Sequence, residues 1–86
     1  MAREMIVVGD TTTHGGKVIT GSPNDQIDGK AVARKGDLVE CPEHGVNPII
    51  EGDDSFMVDD QPAALEGHHA ACGCALVSQG HTLSVS

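Results

Sequence analysis

The sequence predicts an all-β fold built from short hairpins. Three observations carry that prediction. No segment shows the 3.6-residue apolar period of an amphipathic helix. Eleven glycines and four prolines break every long run, and both residue types punctuate structure rather than extend it. What remains is a series of short pieces rich in β-branched and apolar residues, each closed off by Gly, Asn, Asp or Pro as hairpin strands are.

In chain order, the first piece is Met5–Val8, an apolar run that ends at Gly9-Asp10. Lys17–Thr20 follows the Gly15-Gly16 turn and stops at Gly21-Ser22-Pro23. Asp25–Ile27 and Val32–Ala33 flank Asp28-Gly29, which reads as a type I′ hairpin turn between apolar neighbours. Pro48–Glu51 runs into Gly52-Asp53-Asp54, and Ser55–Val58 runs into Asp59-Asp60, which stands where Asp28-Gly29 stood. Ala75–Ser78 and Thr82–Val85 complete the set on either side of Gly80.

An internal repeat organises these pieces. At an offset of 31 residues, Val18–Gly21 matches Ile49–Gly52, and Ile27–Arg34 matches Val58–Leu65. Gly36 then matches Gly67, and Cys41 matches Cys72. A partial third copy lies at the ends. Gly9–His14 resembles Gly36–Cys41 and Gly67–Cys72, and Val77–Gly80 echoes the strand that follows each such segment. Repeated supersecondary units bury their faces against one another, so three copies should converge on a common centre. In that alignment His14, Cys41 and Cys72 occupy the same place.

Composition says what must hold such a chain together. Eighty-six residues suit one domain, spanning residues 1–86, and too few remain for a second. Phe56 stands alone among aromatics, so the core is thin. A domain of this size draws only ~3–5 kcal/mol from one core and usually adds a disulfide or a metal. Three cysteines make a disulfide framework a poor fit, whereas cysteines together with five histidines suit a metal. A net charge of −8 argues against nucleic acid and against anionic membrane as binding partners. Met5–Val8 is too short for a signal segment or a membrane span, so the expected place of synthesis and folding is the cytoplasm.

Zinc takes four N or S donors at tetrahedral corners. Here the donors fall in three clusters: His14; Cys41 with His44; and His68, His69, Cys72 and Cys74. Cys41-Pro42-Glu43-His44 resembles half of a zinc knuckle, and His68 stands four residues before Cys72. Each donor also has a structural reading. His14 and His44 could satisfy turn backbone, and Cys41 could serve as a small buried hydrophobe. His68 is favoured over His69 because it takes the repeated Asp position, which leaves His69 exposed. Cys74 remains a competing ligand, and His81 reads as a surface residue. Four or more donors favour a closed structural site over a catalytic one with an open position. The paired carboxylates Asp53-Asp54 and Asp59-Asp60 sit at turns, where Asp serves hydrogen bonding. Catalysis is therefore not expected.

Taken in order, Thr13-His14-Gly15-Gly16, Gly21-Ser22-Pro23, Ile27–Lys30, Ala31–Asp37, Cys41–Gly45 and Cys72-Gly73-Cys74 resemble the PAAR-repeat proteins. These proteins sharpen the spike of the bacterial type VI secretion machine. The Pro-Ala-Ala-Arg motif is divided here: Ala31-Val32-Ala33-Arg34 lacks the Pro, and Pro62-Ala63-Ala64-Leu65 lacks the Arg. The resemblance implies a small cone of β-hairpins with pseudo-threefold repeats and one structural zinc near its apex. Three histidines and one cysteine hold that zinc in the family, which carries over to His14, His44, His68 and Cys72 and leaves Cys41 aside. It also implies a monomer seated on the trimeric VgrG spike protein, contact with the target membrane during piercing, and attachment of separate effector proteins. The expected location is the cytoplasm during assembly, then secretion or translocation on the spike. A zinc-stabilised adaptor that recruits an effector without piercing is the alternative.

Overall fold

Turn residues recur every few positions in this chain, so its backbone pairs in many short ladders. The computed structural model describes residues 3–27, 29–78 and 84–85. It contains β1 (Arg3–Glu4), β2 (Thr11–Thr12), β3 (Lys17–Val18), β4 (Gln26–Ile27), β5 (Lys30–Ala31) and β6 (Leu38–Cys41). There follow β7 (Gly45–Pro48), β8 (Asp53–Val58), β9 (Gln61–Ala63), β10 (Leu76–Val77) and β11 (Ser84–Val85). No helix occurs among the described residues. The predicted all-β class is what the chain adopts.

The largest ladder runs β10-β2-β3-β6-β7, all antiparallel. Isolated bridges Ile49↔Ala70 and His69↔Ala75 join its β7 side to its β10 side, so the ladder runs round on itself. Two hairpins, β4–β5 and β8–β9, and the β1–β11 pair complete the pairing. In β8–β9 the turn residues Asp59 and Asp60 have φ of +50° and +64°, the left-handed pair that a type I′ turn requires. The register slips between Asp53 and Met57, so residues 54–56 bulge out of the ladder and leave Phe56 exposed. Asp28, His81 and Thr82 lie outside the described residues.

Sequence patterning located several strands and missed others. Lys17–Thr20 pairs over its first two residues as β3, and Ala75–Ser78 over its central two as β10. No predicted piece covers β1, β2, β5, β6, β9 or most of β7. β6 shows the missed signal plainly: Val39 and Cys41 are buried while Glu40 between them is exposed. That alternation of two marks a half-buried strand, but the Cys41–Gly45 segment drew attention as a metal loop.

Three tight turns share one hydrogen-bonding scheme. Asp10, Asp37 and His68 donate their backbone N–H to the carbonyls of Val7, Arg34 and Leu65 at 3.1, 2.9 and 3.0 Å. In return, their side chains accept from the N–H groups of those same residues at 2.9, 2.8 and 3.0 Å. The residue before each is Gly9, Gly36 or Gly67, with φ of +98°, +95° and +89°. A side chain there would be strained.

The chain's centre is a closed ring of backbone hydrogen bonds. Ile6 N–H donates to Ala64 at 2.9 Å, Ala64 to Ala33 at 3.0 Å, and Ala33 back to Ile6 at 2.8 Å. All three residues are fully buried. They belong to a core cluster with Val18, Val39, Ile49, Ala70, Cys74 and Leu76. A second cluster gathers Met5, Val7, Ile27, Val32, Val58, Ala63 and Leu65. Arg34 ties these parts together at the surface. Its guanidinium pairs with Asp37 at 2.9 Å and with Asp59 at 3.7 Å, and the Asp37 hydrogen bond holds its pKa above the usual value. The folded chain measures 30 × 23 × 23 Å.

Candidate metal centre

Two of the ladder's turns close identically. In the first, Gly15 N–H donates to Thr12 O and Thr12 N–H to Gly16 O, at 3.0 and 3.1 Å. In the other, Gly73 donates to Ala70 and Ala70 to Cys74, at 2.9 and 3.0 Å. His14 and Cys72 thus hold matching positions, each directly before a glycine with positive φ. The β6–β7 hairpin is longer. Its pairing continues from Val39↔Asn47 through Cys41↔Gly45 before it turns over residues 42–44. Cys41 therefore ends a strand, and His44 lies in the loop beyond it.

Close backbone approach brings the first turn against β6. A Cβ on Gly16 would lie 2.1 Å from the Glu40 carbonyl oxygen, far inside any tolerable contact, so only glycine lets the two segments meet. Cys72 is tied to β7 from the other side, its N–H donating to Asn47 Oδ1 at 3.0 Å.

These constraints gather the donors. One atom each from His14, Cys41 and Cys72 lies within 4.8 Å of the others, and the same holds for His14, Glu43 and His44. Cys41 Sγ is 3.8 Å from His14 Nδ1, and the His14 and His44 rings are centred 5.9 Å apart. Since His14 belongs to both groups, it links the cysteine pair to His44. The set grades outward: Cys41 is buried, His14 and Cys72 are partly buried, and His44 and Glu43 are exposed. A hydrogen bond from the Cys74 backbone holds the Cys72 thiol below the usual thiol range. Burial pushes the neighbouring Cys74 thiol up.

Of the expected ligands, His14 meets Cys72 in the first group and His44 in the second. The fourth, His68, joins neither group among the described residues. Its Nδ1 accepts the Leu65 N–H at 3.0 Å, the task its counterparts Asp10 and Asp37 perform. Cys41 stands in the cluster instead. Its signal was already in the sequence, because it aligns with His14 and Cys72. His69 is exposed and bonds Glu51 Oε1 through Nδ1 at 2.6 Å, which with the His69 N–H lowers the Glu51 pKa. Cys74 is buried in the core cluster, with its sulfur 3.3 Å from that of Cys72.

Thiols and imidazoles are donors of the borderline-soft kind that zinc takes in closed structural sites. His14, Cys41 and Cys72 could hold such an ion together, and His14 could hold one with Glu43 and His44. Glu43 is an exposed oxygen donor beside them.

A family model described as the PAAR motif matches residues 8–78. The chain belongs to the PAAR motif family. The known setting of that family is the spike of the type VI secretion system, where its members are structural spike-tip proteins. Comparison with curated proteins gave no match.

Proposed function

We propose that this chain is a zinc-tied structural tip. It seats as a monomer on the end of the trimeric VgrG spike, narrows that spike for membrane piercing, and provides an attachment point for separate effector proteins. The observation that carries this reading is the meeting, within 4.8 Å, of His14 and Cys72 from two turns and Cys41 from the end of β6, in a chain whose family belongs to the spike. A point that pierces a membrane has few residues with which to bury one another, so cross-linking must come from something other than a core.

The proposed ligands are His14, Cys41, His44 and Cys72, with Cys41 in the place expected for His68. Bound zinc would cross-link the three turns, and structural zinc sites contribute an apparent ~10–16 kcal/mol to folding. The chain supplies the rest. Gly16 lets the first turn close on β6, and Asn47 anchors Cys72 to β7. The turns that share one bonding scheme, and the backbone ring at Ile6, Ala33 and Ala64, support a pseudo-threefold cone matched to a threefold partner. On this reading the protein assembles in the cytoplasm and leaves on the spike. The test is to mix the zinc-loaded chain with a trimeric VgrG and weigh the complex by native mass spectrometry. One chain per trimer is expected; no complex, or three chains per trimer, overturns the seating.

One observation favours the adaptor reading as a second function of the same chain. Phe56 and Met57 are exposed on β8 at the edge of a hollow that Met5, Ile27 and Val32 also line. Substituting Phe56→Ser and Met57→Ser should weaken effector capture while sparing VgrG binding. Equal loss of both would count against a separate adaptor surface.

A further inference from the structure

Cys74 is a reactive group that the proposed tip does not use. It is fully buried in the core cluster and belongs to neither donor group among the described residues. Yet its Sγ lies 3.3 Å from Cys72 Sγ, and both are free thiols. A disulfide needs the sulfurs at about 2.05 Å, so closure asks for little more than an ångström of movement. Gly73 alone separates the two cysteines.

We propose that Cys72 and Cys74 form a two-electron redox pair, modified by small hydroperoxides such as hydrogen peroxide, and that the pair controls metal retention. The inference deepens the proposed tip, resting on Cys72 as a ligand. Cys72 is the partly exposed member and Cys74 the buried one, so peroxide meets Cys72 first. The Cys72 sulfur attacks one peroxide oxygen and the O–O bond breaks. Cys72 becomes a sulfenic acid, and one water leaves. The Cys74 sulfur then displaces hydroxide from that sulfenic acid, which forms the S–S bond and releases a second water. Overall, two thiols lose two hydrogens and peroxide is reduced to two waters. A dithiol reductant reverses the change by exchange.

The two fates of Cys72 exclude each other. Zinc binds thiolate sulfur, and a sulfur committed to a disulfide no longer offers it. Oxidation therefore removes one of the four donors while His14, Cys41 and His44 remain. Cys74 makes that loss reversible, because a neighbouring thiol traps the sulfenic acid before it oxidises further. Cys41 also lies near Cys72, within the 4.8 Å donor group; the proposal takes Cys74, whose sulfur stands 3.3 Å from that of Cys72 two residues away.

The test treats the full zinc-loaded chain with stoichiometric hydrogen peroxide. Zinc release is followed with a colorimetric chelator, and thiol linkage by intact mass and peptide mapping. The expected result is one Cys72–Cys74 disulfide formed per zinc released, with zinc uptake restored by a dithiol. In Cys74→Ala, reversible release should be lost and sulfinic acid should accumulate on Cys72. A Cys41–Cys72 disulfide in the unaltered chain, or identical reversible release from Cys74→Ala, overturns the proposal. If the reduced chain binds no zinc but still forms the Cys72–Cys74 disulfide, the metal reading fails and control of metal retention fails with it, while the redox pair stands.

Discussion

Substitution at His68 separates a metal ligand from a turn acceptor, because the two roles predict opposite results. In the structure His68 Nδ1 accepts the N–H of Leu65 at 3.0 Å, and Leu65 is 3% exposed. His68→Ala removes that acceptor and leaves a buried N–H unsatisfied, at a cost of ~1–3 kcal/mol. For a domain of this length each kcal/mol moves the thermal midpoint by ~4–8 °C. His68→Asp installs the residue that does the same job at Asp10 and Asp37, so it should stay within about 1 kcal/mol of the parent. Neither change should alter zinc content. Cys41→Ser is the contrast: it should lower zinc affinity by more than the ~10–100-fold that losing an outer-shell partner costs. The assay pairs thermal denaturation of the zinc-loaded proteins with elemental analysis of zinc per chain. Zinc lost from both His68 variants and kept by Cys41→Ser would refute the assignment and restore His68 as ligand.

Three further outcomes follow from the same structure. Chelation of zinc from the purified chain should abolish its β-sheet circular dichroism, since a core with one aromatic residue does not replace four ligand bonds; a native-like spectrum without metal would count against the site. Ala33→Leu should cost at least ~1–3 kcal/mol by overpacking the fully buried centre, and an unchanged urea midpoint would contradict the packing described. At Asp59, hydrogen bonds from Ser22 and then Asn24 hold the folded-state carboxyl below its ordinary value. Its contribution is therefore complete above the unfolded Asp value of ~3.9 and fades as pH falls through the lower folded value, so Asp59→Asn should flatten that stretch of a thermal midpoint–pH curve.

Fold class was legible because it depends on residue types that act locally. Gly and Pro at close intervals forbid long elements, and the Asp59-Asp60 turn took its conformation from sequence rules alone. The pairing of β6 with β3 was not legible, because it depends on Gly16 admitting the Glu40 carbonyl, a contact between residues 24 positions apart. The site divided the same way. His14 and Cys72 could be found by spacing, since both precede a turn glycine. At Cys41 the family stoichiometry leaves room for only one thiolate, while its alignment with His14 and Cys72 points to the group the three form. At His68 the repeat pattern carries a second meaning. It takes the repeated Asp position, and that position has a backbone task of its own in each of the three turns.

The central ring explains why a chain of similar units is nevertheless not interchangeable with itself. Three backbone segments that donate to one another in a cycle bring their Cβ atoms toward a common space. Three large side chains would not fit there, and three alanines would leave a void costing of order 24 cal/mol per Å³. The chain places Ile6 beside Ala33 and Ala64, one large residue and two small, all fully buried. The segment that bears the isoleucine must therefore be the one opposite both alanines. A shifted arrangement, with Ile6 paired into the ladder where Ala33 or Ala64 belongs, overpacks one side and empties another. Around that centre the closed ladder brings His14, Cys41 and Cys72 to one point, and the longer β6–β7 hairpin adds His44 beside His14.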